Sequence, residues 1–363
     1  MRILKYLIFL FLIVAIGLSI YVAIQPDDYK IVKTRIINAP KPVIYEYVNN
    51  LENWNKWSVW FDHDPQMVID YGATTEGKNA SFKWNSNILG KGTITTTYIS
   101  KDSIRQRLDF IKPKETIAHR FWSFVETTSQ NGVLVTSGIE GKLSFTDKFI
   151  ILFQNSMEHS FDVDFNNGLI KLDSVIRADM KKYTISTIGK TEYGGGYYLY
   201  QTTSARINET NIASEKMFQE IEAFMEQNYL HPSGDEFTLY QQTDTLNNSV
   251  IFSAGVPIKE KVITPVGSTI LCGFIPSGSY FKTVMKGDYI NMNEAWSKTR
   301  EAIKNNNFEV DPQRDSFESY VVTEDETANP AALISEIYIP IKEKVEIYPC
   351  LLYTSDAADE EDS

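Results

Sequence analysis

Cysteine is scarce in this sequence of 363 residues, and clusters of positive charge are missing. The two cysteines, Cys272 and Cys350, cannot be interpreted as a disulfide framework, because Cys350 opens a C-terminal stretch of unusual composition. The formal net charge is −12 and no basic cluster offsets it, which argues against phosphate backbones as partners. We therefore predict no nucleic-acid partner.

Sequence signatures of common catalytic and metal sites are missing as well. Neither a Gly-x-Ser-x-Gly elbow nor a phosphate-binding loop occurs. His63 lies between two aspartates, but three adjacent residues rarely converge on one ion, so a solvated turn is the favoured interpretation. His119 and His159 have no Cys or His partner at the spacing of a zinc site. We predict no metal site and no cofactor.

Long apolar runs are limited to one, at the N-terminus. No charge occurs from residue 6 to residue 24, and about 20 apolar residues match the thickness of a bilayer core. A cleaved signal peptide is the alternative, but it would have a shorter apolar stretch and a small-x-small cleavage site, neither of which is clear here. We predict an uncleaved anchor over residues 1–28 that contacts the membrane through residues 3–24.

The charges that flank this run bear on its orientation. Arg2 and Lys5 precede it, which favours an N-terminus inside the cell and an extracytoplasmic location for the rest of the chain. Lys30, Lys33 and Arg35 follow it closely and weaken this bias.

The last stretch, residues 350–363, shows neither helical nor strand periodicity. Its first part, CLLYTSDAADE, resembles the conceptual translation of a sequencing adapter. We therefore predict a non-native tail at this end, with a natural acidic tail as the alternative.

Residues 29–180 combine strand and helix patterns. An alternating strand, YKIVKTRII, and a short amphipathic helix come first, and β-rich runs with Gly, Asn and Asp between them fill residues 67–139. Apolar residues then recur every three or four positions, which predicts one face of a long helix. This face consists of Met157, Phe161, Phe165, Leu169, Leu172 and Ile176. We predict an α+β domain whose sheet wraps around this helix.

The order of these pieces resembles a known family. INAPKPVIYEYVNNLENWNKWSVW, FDHDPQM, GKNASFKWNSNILGKGTITTT and MEHSFDVDFNNGLIKLDSVI together are similar to START-like (SRPBCC) helix-grip proteins of the polyketide cyclase type. The resemblance implies a hydrophobic cavity between sheet and helix that binds lipids or other apolar molecules. Trp57 and Trp84 are candidate ligand-binding residues of such a cavity, and simple core packing is the alternative for both.

A repeat indicates a duplication in the remainder of the chain. PIKEKV occurs at residues 257–262 and again at 340–345, and FTLY at 237–240 corresponds to FESY at 317–320. In each copy a helix-compatible run precedes the FTLY or FESY strand. One unit of strand, helix, strand and strand therefore occurs twice.

Two such βαββ units would pack about a pseudo-two-fold axis and leave a cleft between them. We predict this duplicated domain at residues 183–348, with halves at about 183–262 and 265–345. The predicted fold class is thus α+β, with one transmembrane helix, a helix-grip START-like domain and a duplicated βαββ domain.

The second copy also resembles a known family. ILCGFIPSGSYFKTVMKGDYINMNEAWSKTREAI, followed by FESYVVTEDETANPAALISEIYIPI, is similar to the gyrase-inhibitor-like domain, which is the effector-binding module of AraC-type and multidrug-responsive regulators. The resemblance implies a central pocket that binds amphipathic, often cationic molecules between aromatic walls and a carboxylate. The gyrase-inhibitor-like family also includes members reported as hydrolases. No helix-turn-helix reader is present in the sequence, which disfavours a transcription factor.

The two copies differ at the position of the carboxylate. Glu318 and Tyr320 share one face of the FESY strand, because side chains alternate along a strand. In the FTLY strand, Thr238 replaces the glutamate and Tyr240 keeps the tyrosine. A buried carboxylate requires a cationic or hydrogen-bonding ligand, or a raised pKa. Exposure at a sheet edge is the alternative for Glu318. The candidate ligand-binding residues of this domain are Glu318, Tyr320, Trp296, Tyr280, Tyr198, Tyr240 and Glu336.

Three functions are compatible with these patterns. The leading hypothesis is a membrane-anchored binding protein for small hydrophobic or amphipathic molecules, cations included. The alternative is a hydrolase with Glu318 as general base and Tyr320 as acid or orienting group, although no nucleophile–base pair is evident. A scaffold with degenerate pockets is the third.

Overall fold

The computed structural model describes residues 2–127, 132–153, 157–244 and 246–342. The predicted tail at 350–363 and the end of the second PIKEKV copy lie outside the described residues. Contacts divide the chain into two compact units. The first unit comprises Met1–Lys182 and Glu324–Ala332, and the second comprises Tyr183–Thr323 and the chain from Leu333 onward.

The first unit contains an antiparallel sheet and several helices. Its helices are α1 (Arg2–Ile24), α2 (Lys41–Asn49), α3 (Trp54–Trp57), α4 (Val59–His63), α5 (Phe145–Phe153) and α6 (Met157–Asp179). Its strands are β1 (Asp28–Ile37), β2 (Val68–Tyr71), β3 (Ser81–Ser86), β4 (Gly90–Ser100), β5 (Ser103–Lys112), β6 (Thr116–Thr127) and β7 (Gly132–Lys142). The strand order is β1-β7-β6-β5-β4-β3-β2.

Helix α6 packs on β1 and against the short helices α2, α3 and α4. Four of the predicted apolar residues are buried on it, namely Phe165, Leu169, Leu172 and Ile176. Each buried side chain of this size stabilises the fold by about 1.5–3 kcal/mol. The side chains of Met157 and Phe161 lie outside the described residues. The helix-grip assignment of this unit stays a prediction.

Helix α1 is long and apolar enough to cross a membrane, a property that it shares with signal sequences. Most of its large apolar side chains are exposed, but Val22, close to its C-terminal end, is buried. Lys148 of α5 is buried and donates hydrogen bonds to the carbonyl oxygen of Gln25 at 2.9 Å and to Asp27 Oδ1 at 2.7 Å. A lysine at this end also interacts favourably with the helix dipole.

The second unit is a mixed structure built on one antiparallel sheet. Its strands are β8 (Thr184–Tyr193), β9 (Gly196–Arg206), β10 (Phe237–Asp244), β11 (Ser249–Ile258), β12 (Leu271–Ile275), β13 (Gly278–Lys286), β14 (Ser316–Val322) and β15 (Ile334–Pro340). Its helices are α7 (Thr210–Gln227) and α8 (Met292–Asn305). The strand order is β12-β9-β11-β10-β14-β15-β13-β8.

In chain order, β9-α7-β10-β11 and β13-α8-β14-β15 each run strand, helix, strand, strand. The two copies meet at the centre of the sheet, where β10 pairs with β14. The outer strands are exchanged, because β8 precedes the first copy yet pairs with β13, whereas β12 precedes the second copy yet pairs with β9. Each copy is therefore completed by a strand from the other part of the sequence.

Both helices lie on the same face of this sheet. Residues directly opposite each other in antiparallel strands point to the same face. One row of directly opposed residues crosses the four central strands. It begins at Ala254, in the core under α7, and continues through Thr238 and Glu318. It ends at Ile337, in the core under α8. Helix α7 packs on β9 and β11, and α8 packs on β8, β13 and β15. The central strands β10 and β14 thus lie between the two strand groups that carry helices.

Two carboxylates of α6 connect this helix to β1 and allow a matched stability test. Asp173 is buried and accepts two hydrogen bonds from Arg35, at 2.9 and 2.8 Å. Asp162 forms a half-exposed ion pair with Lys33 at 2.7 Å. We expect Asp173→Asn to lower the free energy of unfolding by about 1–3 kcal/mol, because a buried, charge-assisted pair is lost. Asp162→Asn should lower it by less than about 1 kcal/mol.

Chemical denaturation followed by tryptophan fluorescence measures both variants. Five of the six tryptophans lie in the first unit, so the signal reports mainly on that unit. An equal decrease in the free energy of unfolding for the two variants would contradict the prediction that Asp173 contributes more to stability than Asp162.

Candidate functional site

A carboxylate lies at the centre of the helix-bearing face of the second unit. The register places Glu318 of β14 directly opposite Thr238 of β10. Glu318 is only 3% exposed, so the predicted alternative of an exposed sheet-edge residue does not apply. The Glu318–Thr238 difference between the two copies therefore lies where the copies meet, in the pairing of β10 with β14.

Hydrogen-bond donors surround this carboxylate. Trp296 of α8 donates from Nε1 to Glu318 Oε1, and the Tyr320 hydroxyl is 3.1 Å from Glu318 Oε2. The Tyr240 hydroxyl also donates to the carboxylate. The Tyr320 hydroxyl lies 3.0 Å from Thr238 Oγ1. Each copy of the βαββ unit thus contributes a tyrosine to the same carboxylate.

Aromatic rings form the walls around Glu318. The Trp296 ring meets the Tyr240 ring edge to face with centroids 5.5 Å apart. The Tyr320 ring contacts Phe218 of α7 at 6.0 Å and Tyr289 at 5.6 Å. Apart from the largely buried Phe218, these rings are half-buried. Phe218 and Tyr289 were not predicted from the sequence, because neither belongs to a repeated motif.

Burial controls the electrostatics of this cluster. It raises the pKa of Glu318, and the hydrogen bonds from Trp296, Tyr240 and Tyr320 oppose that rise. Burial, and then the nearby Glu318 charge, raise the pKa of both tyrosines well above the ordinary value. Among the residues that the structure describes, no lysine or arginine forms an ion pair with Glu318. The carboxylate is hydrogen-bonded but has no opposite charge.

The other predicted residues of this domain do not join Glu318. Tyr198 contacts Phe237, with ring centroids 5.1 Å apart, and Tyr280 contacts Phe317 at 5.6 Å. Phe317 immediately precedes Glu318, so its side chain points to the opposite face of the sheet. Tyr198 and Tyr280 therefore belong to an aromatic core on that face.

Glu336 also lies on the opposite face, and its charge is satisfied within the protein. It forms an ion pair with Lys282 at 2.7 Å and accepts a hydrogen bond from the Tyr338 hydroxyl at 2.6 Å. Tyr338 stacks on Phe317 with centroids 4.8 Å apart. Glu336 thus has the counter-ion that Glu318 lacks.

The predicted tryptophans of the first unit are fully buried. Trp57 donates from Nε1 to the Tyr47 carbonyl at 3.0 Å and contacts the Trp122 ring at 5.7 Å. Trp84 contacts Phe110 at 5.4 Å, and its Nε1 has no hydrogen-bond partner in the described structure. A cavity of about 10 Å³ lies beside Trp57. Their role in ligand binding stays a prediction.

The histidines considered from the sequence lie apart. His63 Nε2 is 2.9 Å from Asp164 Oδ1, and His119 is exposed. The side chain of His159 lies outside the described residues. Within the described parts of the chain, no group of three His, Cys, Asp or Glu residues could hold a metal ion.

The raised pKa of Glu318 predicts a pH-dependent stability difference. Below its ordinary pKa of 4.5 the carboxyl is protonated in both the folded and the unfolded chain. As the pH rises towards the higher folded pKa, only the unfolded chain releases the proton, so the folded state loses stability. We expect the melting temperature of Glu318→Gln to increase relative to that of the wild type as the pH rises from 4.5 to the pKa of Glu318 in the folded protein.

Melting curves of the two proteins from about pH 4 to pH 8 measure this gap, in which the other titrating groups cancel. Glu336→Gln controls for the loss of one negative charge. A gap that stays constant over the whole range would show that Glu318 titrates alike in the folded and unfolded chains.

Comparisons with known proteins concern mainly the second unit. No curated protein matches the chain. Among solved structures, the C-terminal domain of EcmrR shares 14% identity and a TM-score of 0.36, covering 45% of this chain and 99% of its own. SAV2435 bound to tetraphenylphosphonium shares 11% identity and a TM-score of 0.33, covering 44% and 94%. Residues 178–341 match the model of the Cass2 family, described as integron-associated effector binding protein.

Proposed function

We propose that this protein is a membrane-anchored binding protein for small hydrophobic or amphipathic molecules, and that its second unit binds cationic ones at Glu318. The observation that carries the proposal is a carboxylate, 3% exposed, that has three neutral donors and no cationic partner among the residues that the structure describes. The match of residues 178–341 to an effector-binding family supports it.

The chemistry of this cluster suits an organic cation. A buried carboxylate without a counter-ion is unfavourable, and a bound cation would supply the missing charge away from water. The faces of Tyr240 and Tyr320 would each add about 0.5–2 kcal/mol of cation–π attraction. The Trp296 ring already carries the Arg300 guanidinium, whose carbon lies 5.4 Å from the ring centroid. An apolar body on the ligand would be buried against the same rings.

The position of the cluster also supports a binding site. It lies over the central strands β10 and β14, between the strands that carry α7 and α8. We infer that a pseudo-two-fold axis passes between these central strands and that the predicted cleft lies along it. On this arrangement Tyr240 and Tyr320 are equivalent residues, and Glu318 is the feature that breaks the symmetry.

Hydrolysis is the second candidate, and one observation favours it. The raised pKa of Glu318 and the Tyr320 hydroxyl at 3.1 Å are features of a general base with an orienting partner. Three donated hydrogen bonds, however, reduce the basicity of this carboxylate. Turnover of an ester panel that is lost in Glu318→Gln would favour the hydrolase.

Membrane anchoring is supported by the way α1 joins the first unit. Lys148 binds the carbonyl of Gln25 at the end of α1, and apolar side chains of α5, among them Phe145, Ile150 and Leu152, are exposed beside it. This attachment favours an uncleaved anchor. Arg2 and Lys5, which precede the apolar run, favour an extracytoplasmic location for the soluble part.

Binding at Glu318 is tested with benzyltrimethylammonium as probe and neopentylbenzene as its neutral isostere. Isothermal titration of the full chain in lipid nanodiscs should show binding of the cation, with an affinity at least about tenfold lower in Glu318→Gln, since a desolvated charge pair is lost. Glu336→Gln is the matched control and should change the affinity less than about twofold, because Glu336 lies on the opposite face. Equal weakening by both variants would reject the site.

Anchoring is tested by the mass of the expressed chain and by labelling. We expect an intact N-terminus in the membrane fraction and release of the protein when residues 2–24 are deleted. A cysteine introduced at the exposed Tyr229 should react with an impermeant maleimide in intact cells. A measured mass that corresponds to the chain without its apolar segment would identify a cleaved signal peptide. Labelling that occurs only after permeabilisation would show that the soluble part lies inside the cell.

A further inference from the structure

Helix α5 of the first unit exposes an apolar stripe. Phe145, Phe149 and Leu152 follow one another at spacings of four and three residues, so they lie on one face of the helix. Their exposed fractions are between 38% and 48%, and the neighbouring Ile150 is exposed as well. The apolar face of a surface helix normally packs on the protein core. On α5 this stripe faces outward instead.

Polar contacts, rather than burial of this stripe, hold α5 in place. Near the beginning of the helix, Asp147 accepts hydrogen bonds from the Ser144 backbone N–H at 2.9 Å and from Lys114 at 2.8 Å. The next residue, Lys148, joins α5 to the end of α1 through the carbonyl oxygen of Gln25. A helix of nine residues is marginal in water by itself. These contacts therefore fix a short helix and leave its apolar stripe for a partner outside the chain.

The stripe lies close to the point where the apolar run of α1 ends. Helix α1 ends at Ile24, and Lys148 contacts the next residue, Gln25. Phe145 and Leu152 lie three residues before and four residues after Lys148, which is at most about 6 Å along the helix axis. In a chain that α1 anchors, this end of α1 lies at the boundary between acyl chains and headgroups. The stripe is therefore at the depth of the lipid surface.

A gap between α5 and α1 has the mixed polarity of that boundary. A cavity of about 470 Å³ lies between the end of α1, the beginning of β1 and α5. Apolar side chains such as Val22, Ile151 and Leu152 line it together with polar ones such as Tyr29 and Lys148. Lipids present acyl chains and polar headgroups side by side at this depth, so they can cover both kinds of surface.

Lysines at the same end of the sheet complement lipid phosphates. Lys142 is the last residue of β7, and Lys112 is the last residue of β5, two positions before the Lys114 that contacts α5. Lys112 and Lys142 are exposed, and within the described residues neither forms an ion pair. Long lysine side chains can lay their stems on apolar surface and direct the ammonium group to the headgroups. A chain of net charge −12 therefore has free positive charge beside the stripe.

We propose that α5 is an interfacial helix whose apolar stripe is buried in the lipid surface beside α1. The partner is the bilayer itself, and the inference rests on the membrane anchor of the proposed function. Interfacial helices bury their apolar face about 5–10 Å into the boundary between headgroups and acyl chains. With α1 as one contact and α5 as a second, the first unit has a fixed orientation on the membrane.

The test measures the depth of a nitroxide label in the full chain, held in nanodiscs of phosphatidylcholine and phosphatidylglycerol. Both native cysteines are replaced by serine, and Leu152→Cys carries the label. Collisions with oxygen, which is concentrated in lipid, are compared with collisions with a soluble nickel chelate, which stays in water. The oxygen-to-nickel ratio at Leu152 should be at least about fivefold higher than at a label in water, because the stripe is buried in lipid.

A second label provides the reference in water. Val125 is a matched control, since it is also apolar and 53% exposed. It pairs with Leu134, eight residues or about 26 Å along β7 from Lys142, near the opposite end of the sheet. Val125→Cys should therefore report water.

A third label, Ile13→Cys in the middle of α1, tests the anchor separately and should report lipid. The interfacial helix is overturned, and the anchor kept, if Ile13 reports lipid while Leu152 has the ratio of Val125. A label at Ile13 that reports water would refute the anchor and this proposal with it. A label at Leu152 that is shielded from both reagents would show a protein partner in place of lipid, which also overturns the proposal.

Phe145→Asp tests whether the stripe itself makes the contact. An aspartate in the first turn of a helix is favourable, so α5 should be retained in water. The ratio at the Leu152 label should fall at least about threefold, because a charged side chain resists burial in lipid. Val125→Asp is the control and should change that ratio less than about 1.5-fold. Equal effects of the two variants would overturn the proposal, and the label depths in the unmutated stripe decide it even where Phe145→Asp does not fold.

Discussion

The antiparallel pairing of β10 with β14 is the constraint on which the second unit depends. It joins the two copies into one sheet and sets Thr238 directly opposite Glu318. Because directly opposed residues share a face, this register places Glu318 between the strands that carry α7 and α8. A shift by one residue would move the carboxylate to the other face and expose it to a different set of rings. The donors Trp296 and Tyr320 meet at Glu318 because of this register.

Among the described residues, each unit contains a buried charge that has no ion-pair partner, Arg120 in the first unit and Glu318 in the second. Glu318 is surrounded by aromatic hydroxyl and indole donors, and Arg120 by aromatic faces. In both places aromatic rings exclude water from an ion without supplying the opposite charge, which carries an electrostatic penalty. At Glu318 a cationic ligand would remove that penalty.

The contrast between two Glu-x-Tyr pairs shows how context determines the role of a motif. Glu318 with Tyr320 and Glu336 with Tyr338 have the same spacing, and in both pairs the tyrosine hydroxyl lies within hydrogen-bond distance of the glutamate. Only Glu336 has a lysine on the adjacent strand, which neutralises it. An ion pair formed within the protein leaves no demand for an external cation. The same local pattern therefore stabilises one face of the sheet and forms a candidate site on the other.

The sequence by itself determined the apolar N-terminal helix, the buried face of α6, the strand–helix–strand–strand order of both copies and the Glu318–Thr238 mismatch. These features depend on short-range periodicity and on an internal repeat, which are visible along the chain. Only the tertiary structure decided the exchange of β8 and β12, the separation of Tyr198 and Tyr280 from Glu318, and the isolation of Arg120. Strand exchange and the face of a side chain depend on pairing between distant segments, and no local pattern specifies that pairing. The lack of a counter-ion depends on every neighbour in space, so it appears only once the chain has folded.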